Sequence, residues 1–171
     1  MSKTIKTTWN SSEEENRLRT EFYKLFENSP IPKDELLRNL YLYLKRQDLS
    51  SLLFFNDMYK EILNIHGSIF EFGVRWGRNL ALLTSLRGVY EPFNHTREII
   101  GFDTFDGLQS LNLKDGKHEI AKKGSLSVSK NYEKHLNKVL KYHEEEAPIS
   151  HIKKYDLIKG DVNKTLGKYL K

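Results

Sequence analysis

Ser68-Ile69-Phe70-Glu71-Phe72-Gly73-Val74-Arg75-Trp76-Gly77-Arg78-Asn79-Leu80-Ala81-Leu82-Leu83 decides the fold. An apolar run leads into a turn with two glycines, and a helix-period apolar segment follows. That order predicts a strand over 68–74, a tight turn, and a helix over 78–87. In an open parallel α/β sheet, such a turn lies at the carboxyl end of a strand, where ligands bind. Glycines let the backbone approach a ligand with no Cβ in the way. Glu71 sits inside the apolar run, and a carboxylate there is costly unless it has a partner. Two partners are open: a ligand amine or hydroxyl, or the Arg75 guanidinium.

Working outward, Glu98-Ile99-Ile100-Gly101-Phe102-Asp103 reads as a second strand, over 98–104, that also ends in an acid. A carboxylate at that place can take the hydroxyls of a nucleoside ribose. It can equally cap the next turn, through Thr104 or Gly107. Tyr155-Asp156-Leu157-Ile158-Lys159-Gly160 reads as a third strand, followed by Asp161. Asp161 suits a helix N-cap and also an adenine amine, and the two roles are compatible. Between the second and third strands lies a long segment, 104–129, without apolar period. The overlapping stretch 105–130 is a candidate lid. A helix over 130–146 follows, with Tyr132, Leu136, Val139 and Leu140 facing inward and Glu144-Glu145-Glu146 as a solvated end.

Ahead of the sheet the pattern is helical. Ser11-Ser12-Glu13-Glu14-Glu15 is a hydroxyl cap followed by acids that suit the positive end of a helix dipole. Leu18, Phe22, Leu25 and Phe26 then recur at helical spacing, and Pro30-Ile31-Pro32 stops them. Asp34 is a candidate cap for a second helix with Leu36, Leu37, Leu40, Tyr41 and Leu44 as its stripe. Asp48-Leu49-Ser50 is the expected start of a third, ending at His66-Gly67. The expected organisation is an N-terminal arm and helical cap over 1–66 and a Rossmann-like half-sheet over 67–171. The pattern stops inside a helix after three strands, half of a doubly wound sheet. The expectation is therefore a truncated chain whose C-terminal half is missing.

Composition sets limits on function. The chain has 171 residues, 30% charged and 38% hydrophobic, as in a folded globular domain. No run approaches the roughly 20 apolar residues of a membrane helix, and no signal-peptide core follows Met1, so a cytoplasmic protein is expected. The absence of cysteine excludes disulfides, thiolate metal sites and a cysteine nucleophile. The net charge of +5 is scattered among acids, which argues against a dedicated nucleic-acid binder. His66, His95, His118, His135, His143 and His151 show no metal spacing. Gly73-x-x-x-Gly77 lacks the middle glycine of the dinucleotide fingerprint, and no phosphate-binding P-loop or nucleophile elbow is present.

Taken together, Ile69-Phe70-Glu71-Phe72-Gly73-Val74-x-x-Gly77-x-Asn79, Ile100-Gly101-Phe102-Asp103-Thr104-Phe105-Asp106-Gly107 and Ile158-Lys159-Gly160-Asp161-x-x-x-Thr165-Leu166 resemble the class I S-adenosylmethionine-dependent methyltransferases. Within that class they are most similar to the macrocin O-methyltransferase-like (TylF/MycF-like) group. The resemblance covers residues 50–171. It implies a Rossmann-like α/β fold and transfer of a methyl group from S-adenosylmethionine to a hydroxyl of a sugar or small natural product. It implies Glu71, Gly73, Gly77 and Asn79 around the methionine end of the cofactor and Asp103 on the ribose. Thr104 and Phe105 would lie beside the nucleoside, and Gly160 and Asp161 near the adenine. It also implies Mg²⁺, held by acids after a fourth strand and so outside this chain. The chain would then be catalytically incomplete, with a small-molecule acceptor as partner and a homo-oligomer as its assembly. The alternatives are an NAD(P)-dependent Rossmann enzyme and a non-catalytic remnant.

Overall fold

The computed structural model describes residues 11–111 and 120–171. Its elements run in the order α1 (Glu13–Glu27), α2 (Lys33–Arg38), a 3-10 turn (Leu40–Tyr43), α3 (Arg46–Glu61), β1 (Ile69–Phe72), α4 (Arg78–Tyr90), β2 (Ile99–Asp103), α5 (Tyr132–Glu145), β3 (Tyr155–Lys159) and α6 (Val162–Tyr169). The chain divides after Phe54, within α3, into two compact units.

In the N-terminal unit α1 starts as its sequence predicts. The Ser12 hydroxyl accepts from the Glu15 amide at 3.2 Å, and the Glu15 carboxylate accepts from the Ser12 amide at 2.8 Å, a reciprocal capping box. The next helix differs from expectation. Pro32, not Asp34, is its N-cap, and Asp34 lies in the first turn. The stripe from Leu36 to Leu44 is split at Asn39, whose side-chain amide bonds back to the Glu35 carbonyl at 2.8 Å. Asn competes for backbone hydrogen bonds in this way, which ends the helix and leaves a 3-10 turn beyond it. The third helix begins at Arg46, two positions before Asp48.

The second unit starts at Phe55, earlier than position 67, because the last turns of α3 pack against the sheet core. Tyr59 is buried there, and Phe55, Ile62 and Leu63 lie against the same cluster. The three strands are parallel in the order β1-β2-β3, with Ile69 opposite Ile99 and Ile99 opposite Tyr155. Side chains alternate faces along each strand. One face therefore carries Ile69, Glu71, Ile99, Gly101, Asp103, Tyr155 and Leu157. Leu80, Leu83 and Leu86 of α4 and Leu136 and Leu140 of α5 complete that core. The other face carries Phe70, Phe72, Ile100 and Phe102, with the Tyr169 ring of α6 edge-on to Phe102 at 5.7 Å. β1 is an end strand of this sheet, and Phe72 on it is half exposed.

Gly77 is where α4 meets α5. Its φ is +75°, and a Cβ there would overlap the Leu136 side chain. The close approach by itself requires glycine at 77. Gly77→Ala should lower stability by about 2–4 kcal/mol, combining backbone strain and overpacking. A thermal melt checks this, and a chain that also carries Leu136→Ala should lose less than the sum of the two single losses, because the smaller side chain makes room.

Two buried ionic groups tie the amino-terminal edge of the sheet. Glu144, expected in a solvated helix end, is only 3% exposed. Arg87 of α4 donates to its Oε2 at 2.8 Å, and the Lys154 ammonium pairs with its other oxygen. Arg87 also donates to the Lys154 carbonyl at 2.6 Å, and the Lys154 ammonium to the Ile152 carbonyl at 2.7 Å. Buried charges persist when each is paired and hydrogen-bonded in this manner. The second group centres on Arg97, which holds Glu91 through Nε at 2.9 Å and reaches the Gly67 carbonyl at 2.7 Å and the Ile62 carbonyl at 2.9 Å. Burial works against ionised Glu91, but hydrogen bonds from Arg97, Tyr59 and Asn94 hold its carboxyl below the usual carboxylate range. These bonds lock the exit of α3 onto the start of β2.

Candidate cofactor site

Because the strands are parallel, β1, β2 and β3 end on one edge of the sheet, and each is followed by a turn that carries expected site residues. Asp103 joins the three. Its Oδ2 accepts from the Arg75 amide in the turn after β1 at 2.7 Å, and its Oδ1 from the Phe105 amide after β2 at 2.6 Å. Its carbonyl accepts from the Gly160 amide after β3 at 2.9 Å. The turn-capping role weighed for Asp103 is thus present, through Phe105 and Arg75 rather than Thr104 or Gly107. Each carboxylate oxygen has two lone pairs, and one amide uses only one of them, so acceptor capacity remains for hydroxyls.

Glu71 lies one strand over on the same sheet face. Among the described residues Arg75 forms no ion pair with it; the Asn79 side chain is its hydrogen-bonding neighbour. Burial, with the Asp103 charge adding to it and the Asn79 bond opposing it, pushes the Glu71 carboxyl up to about 7. Glu71 Oε2 and Asn79 Oδ1 are both buried and have no hydrogen-bond partner. Two orphaned acceptors side by side are costly, and a ligand donor relieves both. Gly73, two residues after Glu71, has φ +84°, and nothing stands within 4 Å of where its Cβ would be. A side chain at 73 would fill open space at the head of the turn.

The other expected residues divide. Gly77 goes to the α4–α5 contact. Phe105 is 4% exposed and belongs to the hydrophobic core, so at the strand end it offers its backbone amide, not its ring. The Thr104 hydroxyl donates to the Gly107 carbonyl at 2.9 Å and shapes the turn after β2. Gly160 has φ +144° and a bond to Asp103, and Asp161 caps α6 by accepting from the Asn163 amide at 3.0 Å. The ends of the long segment pair with each other, Leu108 donating to the Ser125 carbonyl at 2.9 Å and Gly124 to the Leu108 carbonyl at 2.8 Å. No helix or strand interrupts its described residues; the lid reading falls partly on 112–119, outside them.

Tyr132 and Glu133 had no site signal in the sequence. The Tyr132 hydroxyl donates to the Trp76 carbonyl at 3.0 Å, and its ring meets the Trp76 ring edge-on at 4.8 Å. α5 thereby braces the glycine turn after β1. Glu133 pairs with Lys159, the last residue of β3, at 3.6 Å. Among the described residues no group of three or more His, Asp or Glu side chains is placed to hold a metal ion. No described helix is long and apolar enough to cross a membrane.

The chain matches no protein-family model, and no curated protein matches it. Solved structures do resemble it. The crystal structure of CalS11, a calicheamicin methyltransferase, is 40% identical with a TM-score of 0.89, covering 95% of this chain and 63% of that one. The apo structure of CalS11, described as a TDP-rhamnose 3'-O-methyltransferase of calicheamicin biosynthesis, is 37% identical with a TM-score of 0.77 and covers 95% of this chain and 62% of that one. The chain thus spans less than two thirds of the length of these relatives. Within that span it has the Rossmann-like α/β fold of a methyltransferase, with Glu71 and Asp103 at adjacent strand ends on one face of a parallel sheet.

Proposed function

We propose that this chain binds S-adenosylmethionine at the carboxyl ends of β1, β2 and β3, as part of a cytoplasmic O-methyltransferase acting on a sugar hydroxyl. The observation that carries this reading is the pair of orphaned buried acceptors, Glu71 Oε2 and Asn79 Oδ1, together with the open space at Gly73, two residues after Glu71. An amino-acid ammonium offers several donors to such a pair, and an ionised Glu71 adds charge to the bond. Asp103 takes the ribose hydroxyls with the acceptor capacity left by the Arg75 and Phe105 amides. Gly160 and Asp161 stand at the adenine end.

Bound S-adenosylmethionine supplies an electrophilic methyl group. This chain's residues hold and orient the molecule that carries it, and alignment of methyl and acceptor supplies much of the rate in such a reaction. The acceptor class follows from likeness to a protein described as a TDP-rhamnose 3'-O-methyltransferase. Assignment to the macrocin O-methyltransferase-like group rests on the resemblance of the three strand-end motifs.

Calorimetry with S-adenosylmethionine, S-adenosylhomocysteine, NAD⁺ and NADP⁺ tests the proposal. Binding of the first two with no heat from the dinucleotides is expected. A preference for a dinucleotide would overturn it in favour of an NAD(P) enzyme, and no binding to any of the four would favour a remnant.

A further inference from the structure

A third orphaned acceptor lies at the carboxyl edge of the sheet. Glu133, in the first turn of α5, has its Oε2 buried with no hydrogen-bond partner. Its Oε1 pairs with the Lys159 ammonium at 3.6 Å, which is longer than a hydrogen bond. An ionised carboxylate has about four acceptor positions, and leaving a buried one short of donors is costly. The sequence gives no reason for an acid there, and the ion pair answers only one of its oxygens.

Three contacts locate Glu133 relative to the cofactor site. Tyr132, the residue before it, donates to the Trp76 carbonyl in the turn after β1 at 3.0 Å. Leu136, three positions on, occupies the space that a Cβ at Gly77 would need. Lys159 ends β3 and is the register partner of Asp103, so the two side chains leave the same face of the sheet. The start of α5 therefore spans the strand ends from the β1 turn to β3, with Asp103 of β2 between its two points of attachment.

The strand order assigns the donor. Glu71 and Asn79 on the β1 side face the ammonium, and Asp103 on β2 faces the ribose. The next strand end, β3, meets the nucleobase. Adenine offers an exocyclic 6-amino group with two N–H bonds. Asp161, after β3, already uses its Oδ1 for the Asn163 amide and side chain at 3.0 and 3.1 Å. We infer that Glu133 Oε2 accepts from the 6-amino group of the bound cofactor, so that Glu133 selects a 6-amino over a 6-oxo purine. A 6-oxo purine places a carbonyl oxygen against the carboxylate, acceptor against acceptor, and is rejected by repulsion as well as by the missing bond. This inference rests on the S-adenosylmethionine reading and adds a base-selecting residue to it.

Calorimetry on the full chain with S-adenosylhomocysteine and with S-inosylhomocysteine, its 6-oxo counterpart, tests it. The wild-type chain should prefer the adenosyl compound by roughly 10- to 100-fold, the worth of one hydrogen bond to a charged group. Glu133→Gln keeps the size of the side chain, and its amide can donate to a 6-oxo group. The preference should shrink by about tenfold, the adenosyl compound binding more weakly and the inosyl compound no worse. Glu133→Asp keeps the charge at the start of α5 and withdraws the oxygens by one methylene. It should weaken the adenosyl compound selectively, and it provides the same test if the amide disturbs folding. A wild-type chain that binds both compounds equally overturns the inference. So does a folded variant in which both affinities fall by the same factor, or neither changes, since a purely structural Glu133 leaves the ratio where it was. A wild-type chain that binds neither compound overturns the cofactor reading itself, and this inference with it.

Discussion

Asp103→Ala is expected to weaken binding of S-adenosylmethionine by about 100-fold or more. Two hydroxyl-to-carboxylate bonds are lost, and charge-assisted bonds are each worth about 1.5–3 kcal/mol, of which roughly 1.4 kcal/mol is tenfold. The same substitution takes the acceptor from the Arg75 and Phe105 amides, so the turns after β1 and β2 loosen and stability falls by about 1–3 kcal/mol. The two effects separate with Asp103→Asn. Asparagine keeps one oxygen for an amide and should retain more of the stability, yet it removes the charge and one acceptor facing the ribose. Calorimetry gives the affinities and thermal melts the stabilities. An Asp103→Ala chain that binds the cofactor as well as wild type leaves Asp103 as a clamp on the turns and removes its ribose role.

If Glu71 holds the cofactor ammonium as proposed, cofactor binding should depend on pH. Its carboxyl is pushed up to about 7, with burial as the main cause. Only the ionised form pairs with an ammonium. Between pH 5.5 and 7.5, where an α-amine stays protonated, affinity should rise by roughly tenfold or more as Glu71 ionises. Near pH 7 binding should release a fraction of a proton, visible as a binding enthalpy that changes with the ionisation heat of the buffer. Glu71→Gln should bind weakly and lose the pH dependence. A wild-type affinity that is flat across this window would remove Glu71 from the ammonium.

Stability carries the opposite sign. A raised carboxyl pKa means that the folded chain holds the proton more tightly than the unfolded chain, whose carboxyl titrates near 4.5. Glu71 therefore penalises the fold progressively as pH rises from about 4.5 to about 7, by order 1–2 kcal/mol after allowance for partial exposure. Glu71→Gln should consequently stabilise the cofactor-free protein at pH 8 and change little at pH 4. A group that weakens the empty fold and strengthens the loaded one marks a binding site, in accord with the general clustering of perturbed carboxyls at functional positions.

Some features were legible in the chain because their signals are local. The Ser12 cap, the stop at Pro30-Ile31-Pro32, the three strands and the cap at Asp161 each depend on a few neighbouring residues. The break at Asn39 was not legible, because the apolar stripe around it continues at helical spacing. Glu144 read as solvated because it sits in a run of acids. Only the arrival of Arg87 from α4 and Lys154 from before β3 makes it a buried anion. Phe105 and Gly77 carry a site signature by resemblance; that the ring of one packs into the core and the other is where two helices touch was not legible. Tyr132, marked only as an inward-facing helix residue, proved to be the brace of the glycine turn.

By itself the sequence determined the alternation of strand, turn and helix and the acids at the strand ends, because hydrophobic period and turn chemistry act over a few residues. Tertiary structure alone decided which acids have partners. Parallel pairing puts Glu71 and Asp103 on one face and delivers the Arg75 and Phe105 amides to Asp103. Glu71 Oε2 and Asn79 Oδ1 are left buried and unanswered. Partnership between groups far apart in the chain is a matter of burial and geometry, which only the folded arrangement of the strands supplies.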